Sequence, residues 1–267
     1  AESFEEGWNN EGKHAKKREY ILPEYAQINL NAPNVLTLDF CQYRIREGEW
    51  SAPMEIWRAE KEIRRQLEMT ETEVQRYLWM NEACEKDGTP VEMKFTFMAE
   101  KALEGCRLAL EQAWRFGVLC NGTEVPSKPE GWFLDKAFET VMLPALHPGE
   151  NHLVLSCAYC NEMELENCYL LGEFGVDTER VLCEKPTRLC PEDWTAQGLF
   201  HYCGTVAYEY QYHWDGKCAA ALKLGEYAGV CAAVTVGERV YEIPWSLGET
   251  LDMTDALKEG DNILRIE

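Results

Sequence analysis

Apolar and polar residues alternate with a period of two along most of the chain, a pattern that predicts half-buried strands. Between residues 34 and 43, Leu36, Leu38 and Phe40 fall on one face. From 91 to 98 the alternation is strict and turns Met93, Phe95 and Phe97 inward. Cys106, Leu108 and Leu110 then alternate with Arg107, Ala109 and Glu111. Residues 116–120 lead into Asn121-Gly122, a strong hairpin signal. Further strands are predicted at 137–143, 152–159, 206–212, 218–224, 230–236, 239–243 and 263–266. Tyr208, Tyr210 and Tyr212 share one face of their strand, which reads as core.

The period lengthens only at residues 51–83. Ser51 is placed to cap a helix, Pro53 suits a first turn, and Ile56, Ala59, Ile63 and Leu67 form an apolar stripe. Thr70-Glu71-Thr72-Glu73 offers a capping box for a second short helix through Val74, Tyr77 and Leu78. Glu60 and Arg64 stand four apart with opposite charges. Arg58, Lys61, Arg64 and Arg65 could form an anion site, but such a run is more often a solvated helix face, and that is the reading adopted here. Residues 1–19 are polar and read as a loosely held arm, followed by an extended approach through Pro23 and Pro33.

One signature occurs twice. Leu146 to Leu155 and Leu257 to Ile266 both read Leu-x-x-Gly-acid-Asn-x-Leu-x-(Leu/Ile). Upstream of the first come Val118 to Val125, Trp132 and Phe138; upstream of the second come Ala233 to Val240, Trp245 and Leu251. A fixed order found twice is an internal repeat, here a duplicated domain and not a solenoid. Many short strands with regular turn signals then predict a mainly β fold of two tandem jelly-roll β-sandwiches. The expected boundaries are an arm at 1–33, a first sandwich at 34–163 with the helical insertion, and a second sandwich at 164–267.

The strand, Asn-Gly turn, Trp and Gly-x-Asn closure resemble the closing half of the sugar-binding jelly roll in family 2 glycoside hydrolases, and galactose-binding-like domains of related enzymes. In the second copy Asp252-Met253-Thr254, Leu257, Gly260 and Asn262 carry the likeness. Asp193 to Tyr208 resembles the opening of such a module in large glycosidases, including α-L-rhamnosidase-like proteins. In the latter, a strand similar to Asn34–Asp39 opens a sandwich after the catalytic domain. The resemblance covers roughly residues 90–267. It implies a galactose-binding-like fold for 164–267 and an accessory role beside a catalytic domain. The second copy departs from the pattern in reading Val236-Gly237 where the resemblance implies Asn-Gly.

With 267 residues the chain is long enough for two well-buried cores. Its net charge of −21 makes nucleic acid and anionic lipid unfavourable partners, and no apolar run approaches the ~18–20 residues of a membrane helix. The N-terminal residues lack a basic stretch followed by an apolar core, so no signal peptide is expected. The twelve cysteines fall mostly singly in apolar strands, as at Cys41, Cys106, Cys120, Cys218 and Cys231, and predict a reduced, cytoplasmic protein. Cys157-Ala158-Tyr159-Cys160 lacks the second pair a zinc site wants, so no metal or other cofactor is expected.

Nucleophile motifs and phosphate-cradling loops are missing, and 47 acidic residues are too many to single out a catalytic pair. The βα alternation of a barrel is missing too, so chemistry is expected outside this chain. Carbohydrate is the ligand expected, because aromatic rings stack on pyranoses while amides and imidazoles bind hydroxyls. Trp194, Gln197, His201 and Tyr202 form the candidate sugar-binding segment. Trp132 and Trp245 recur in both repeats and are better read as packing residues. Asp252 and Asp255 are conceivable calcium ligands of the resembling fold, with no site assigned. The leading reading is an accessory β-sandwich region of a glycoside hydrolase; the alternative is a free-standing carbohydrate-binding or protein-interaction module. A third is hydrolysis by a carboxylate pair between the sandwiches.

Overall fold

The computed structural model describes residues 4–8, 14–18, 20–70, 84, 86–126, 128–225, 227–244 and 250–267. The second helix expected after Thr70 and the repeated Trp245 lie outside the described residues. The fold is mainly β, and no described helix is long and apolar enough to cross a membrane. The chain forms two compact units. An inserted unit comprises residues 32–186 and 193–203, and a flanking unit comprises 1–31, 187–192 and 204–267.

The inserted unit is a sandwich of two sheets. In the first, β10 (Thr123–Val125), β9 (Gly117–Cys120), β13 (Gly149–Tyr159), β7 (Thr89–Ala99), β16 (Leu182–Cys183) and β15 (Gly175–Val176) follow in that order. Strand β5 (Phe40–Ile45) pairs with β7 and with the short β6 (Met54–Glu55). The second sheet runs β11 (Gly131–Phe133), β12 (Asp135–Met142), β8 (Arg107–Glu111), β14 (Cys168–Gly172), β4 (Asn34–Leu38). Antiparallel pairing of β7 with β13 runs from Thr89↔Tyr159 to Ala99↔Gly149. Period-two alternation on these strands turns Met93, Phe95 and Phe97 toward Leu108, Leu110, Leu153, Leu155 and Leu170 in one core. At about 25 cal/mol per Å², such burial is the main force holding the two sheets together.

Helix α1 (Ile56–Gln66) closes part of that core with Ile56, Ala59 and Ile63, continued by Leu67, the expected stripe. Ser51 does not cap it. The helix begins five residues later, and the Ser51 hydroxyl accepts from the Tyr43 amide at 3.0 Å. The basic cluster is not a uniform solvated face either: Arg64 is fully buried, while Arg65 remains exposed.

The flanking unit has a sheet ordered β17 (Arg188–Leu189), β3 (Ala26–Leu30), β18 (Val206–Trp214), β23 (Gly260–Ile266), β20 (Cys231–Val236), β21 (Arg239–Pro244). A two-stranded sheet of β19 (Ala221–Lys223) and β22 (Thr250–Asp252) contributes Leu222 and Leu251 to its core. Tyr208, Tyr210 and Tyr212 join that core on the expected face. Strands β1 (Phe4–Trp8) and β2 (His14–Arg18) form a hairpin where a loose arm was expected.

The two units are not in tandem. Within the expected arm, β3 pairs with β17 and β18, and Ala26 is buried in the flanking core. Residues 164–186, expected to open the second sandwich, belong to the inserted unit because β14 pairs with β4 and β8. Alternation marks a strand as half-buried; it does not name the sheet that will take it. Cys218 and Cys231 are exposed, not core.

The repeated signature has a common geometry. Gly149 and Gly260 adopt φ of +91° and +101°, a region that favours glycine. Asn151 donates from Nδ2 to the His147 and Gly149 carbonyls at 2.8 and 3.1 Å and accepts from the His147 amide at 3.1 Å. Asn262 repeats this with Lys258 and Gly260: 2.7 and 3.0 Å to the carbonyls, 2.9 Å from the Lys258 amide. The register also corrects the expected alignment. Leu153 pairs with Cys120 and Leu264 with Val236, so the counterpart of Asn121 is Gly237. Asn121-Gly122 has positive φ at both turn residues, as a type I′ hairpin requires; in Gly237-Glu238 only the glycine does.

Candidate functional site

The segment singled out in the sequence, 193–203, is built into the inserted unit. Asp193 caps a 3-10 turn (Trp194–Gln197), its Oδ1 accepting from the Thr195 amide at 2.9 Å and hydroxyl at 2.7 Å. Those bonds hold the Asp193 carboxyl below the usual range. Gly198, at φ +88°, ends the turn. Its carbonyl accepts from the Val176 amide at 2.8 Å and from the Asn34 side chain at 2.9 Å, and the Phe200 amide donates to Val176 at 3.2 Å.

This packing engages most of the predicted residues structurally. Trp194 and Tyr202 meet edge to face at 6.3 Å, with Tyr202 buried. Tyr202 therefore presents no free face for a sugar. Gln197 turns back, donating to the Asp193 carbonyl at 3.2 Å. His201 accepts at Nδ1 from the Thr37 amide at 3.4 Å and packs 4.7 Å from the Phe200 ring. Trp194 is half-buried, as is His201, whereas Tyr202 is buried.

Two residues that sequence reasoning missed complete the surroundings of His201. Arg180, in the 177–181 turn at φ +65°, donates to the Thr37 carbonyl at 2.5 Å, pairs with Asp39, and lies 6.0 Å from the Phe40 ring. Burial, reinforced by the Arg180 charge, holds the His201 imidazole below its ordinary pKa, against the opposing pull of Asp39. Asp39 was visible only as the end of a strand pattern, and Arg180 carried no sequence signal.

Trp132, expected to pack in the core or at an edge, lies on edge strand β11 and is 56% exposed, so it is not a core residue. Asp252 is occupied locally, accepting from the Thr254 amide at 2.9 Å, and no three metal-ligating side chains cluster among the described residues.

A second polar centre lies inside the inserted unit. The Glu60 carboxylate, 4% exposed, accepts from the Tyr159 hydroxyl at 2.9 Å and the Leu165 amide at 3.1 Å. Arg64 donates to the same hydroxyl at 3.1 Å, to Asn161 at 2.6 Å and to the Thr70 carbonyl at 2.5 Å. Tyr159 thus stands between a buried carboxylate and a buried guanidinium. Desolvation raises Glu60 to about 7, opposed by those hydrogen bonds, and also raises Tyr159. A titratable group so placed suits general acid chemistry in principle, but the burial of Glu60 leaves a substrate no access. Nearby, Glu111, Glu164, Glu166 and Cys168 line a void of about 10 Å³, room for one water and not a sugar. Burial alone raises the Cys41 thiol to about 12 and is the main cause of the same rise at Cys157 and Cys168, as inert core cysteines require.

No family model and no curated protein matches the chain. Among solved structures it is similar to a GH2 β-galacturonidase from Eisenbergiella tayi bound to galacturonate, at 11% identity and a TM-score of 0.29, over 92% of this chain and 38% of that one. It is similar to an α-L-rhamnosidase from Streptomyces avermitilis complexed with L-rhamnose, at 13% and 0.32, over 98% and 28%. A β-D-mannosidase from Dictyoglomus thermophilum matches at 12% and 0.28, over 86% and 30%. The chain spans between 28% and 38% of the length of these glycoside hydrolases.

Proposed function

We propose that this chain is a non-catalytic β-sandwich region of a glycoside hydrolase, of family 2 or rhamnosidase-like type, that braces a catalytic domain. The observation that supports this reading most is the duplicated Asn-stapled turn. The residues that carry the sequence resemblance, Gly149 with Asn151 and Gly260 with Asn262, make the same set of hydrogen bonds in both units. The internal repeat thus rests on a shared structural device as well as on matched letters. Helix α1 is the one α-helix among the described residues, so under this reading the βα-barrel and its carboxylates belong to a separate domain. Carbohydrate contact would fall to Trp194, with Gln197 in the same turn.

The test compares aryl-glycoside hydrolysis by this chain alone with hydrolysis by the full gene product, with and without this region. The expected result is no turnover by the chain, turnover by the full product, and a lower unfolding temperature when the region is removed. Turnover by the isolated chain, or a full product without a glycosidase domain, overturns the reading. Tryptophan fluorescence titrated with rhamnose, galactose and glucuronic acid tests the sugar site. Saturation lost in Trp194→Ala but kept in Trp132→Ala supports it; no response to any of the sugars removes it.

A further inference from the structure

Strand β4 is an edge of its sheet, and an open edge is a template for unwanted pairing. Here side chains close it. The Val35 amide donates to the Asn34 side chain at 2.9 Å. Thr37 is held at both main-chain groups: its amide donates to His201 Nδ1 at 3.4 Å, and its carbonyl accepts from Arg180 at 2.5 Å.

An imidazole accepts at Nδ1 only while that nitrogen carries no proton, so the contact requires the neutral tautomer protonated at Nε2. The charged groups facing the ring are Arg180, from the 177–181 turn, and Asp39, where the chain crosses from β4 to β5. Asp39 is already paired with Arg180. We propose that His201 is an acid-triggered latch, whose protonation releases it and the loop to Cys203 from the β4 edge. A proton added at Nδ1 sets two donors, Nδ1–H and the Thr37 N–H, against each other and places a second cation beside Arg180. The Asn34 bond to the Gly198 carbonyl and the Phe200 bond to the Val176 carbonyl do not depend on that proton, so the release begins beyond Phe200. The sign follows from which form is held. Burial and Arg180 favour the neutral ring, so the latch is closed above the ordinary histidine value of 6.5 and opens as pH falls below it.

The test is amide exchange at Thr37, corrected for intrinsic pH dependence, at about pH 7.5 and about pH 5, with the Phe95 amide as core reference. Protection of Thr37 is expected to fall by about tenfold at the lower pH, the scale of one lost hydrogen bond, while Phe95 holds. His201→Asn keeps an acceptor at the Nδ1 position and cannot be protonated, so Thr37 protection should then be equal at both values. Unchanged protection in the wild type, the same fall in His201→Asn, or a fall shared by Phe95 overturns the proposal. If the variant does not fold, NMR titration of the wild-type ring decides. A midpoint below 6.5 with the Thr37 amide shift following it supports the latch; a midpoint at or above 6.5, or an amide that does not move, overturns it.

Discussion

Asn121 donates its side-chain amide to Oδ1 of Asn151 at 2.8 Å, and its own Oδ1 accepts from the His152 amide at 2.8 Å. The hairpin asparagine of the inserted unit thereby braces the asparagine that closes the repeat. In the flanking unit Gly237 stands in that position, and Asn262 is part-exposed where Asn151 is fully buried.

The two asparagines should therefore differ in weight. Asn151→Ala strands several buried polar groups and is expected to cost about 2–4 kcal/mol, against about 1 kcal/mol for Asn262→Ala. Denaturant unfolding of each variant measures the difference, and equal losses would show that the brace adds nothing.

The missing brace should be transferable. Gly237→Asn with Glu238→Gly converts the flanking turn to the Asn-Gly form, whose first residue tolerates positive φ. The double variant is expected to gain roughly 0.5–1.5 kcal/mol. Adding Asn262→Ala should cancel that gain, as a double-mutant cycle would report.

Glu60 makes stability depend on pH. Its folded pKa of about 7 lies above the ordinary 4.5. The neutral carboxyl is the favoured buried form, so its contribution is fully present below 4.5 and is lost as pH rises through about 7. The loss is on the order of 3 kcal/mol at most. Glu60→Gln keeps an acceptor for Tyr159 and Leu165 and should flatten the profile of unfolding free energy from about pH 5 to about pH 8. A variant with the wild-type slope would exclude Glu60 as its source.

Tyr159→Phe removes the hydroxyl between Glu60 and Arg64. We expect a loss of about 2–3 kcal/mol and a further rise in the Glu60 pKa, because the hydroxyl's hydrogen bond now lowers it. Carboxyl titration by NMR reads the second effect independently of the first.

Gly175 is required for space. A Cβ there would collide with the Glu184 carbonyl oxygen and meet Cys183 Sγ at 2.7 Å. Gly175→Ala should cost at least about 2 kcal/mol in thermal unfolding, since β15 would have to move away from β16.

Period-two alternation by itself determined that this chain is β, and which faces of β7, β13 and β18 are core, because a side chain's face depends only on its own strand. The Asn121-Gly122 and Gly-acid-Asn turns were legible for the same reason: their bonds close within a few residues or across one hairpin. Tertiary structure alone decided that β3 joins the flanking sheet and β14 the inserted one, since pairing partners lie far away in sequence. It also turned Arg64 from an expected surface charge into a buried donor, and gave His201 the Thr37 amide as a partner. Both depend on Tyr159, Asn161, Thr37 and Arg180, which reach them only once the sheets have packed.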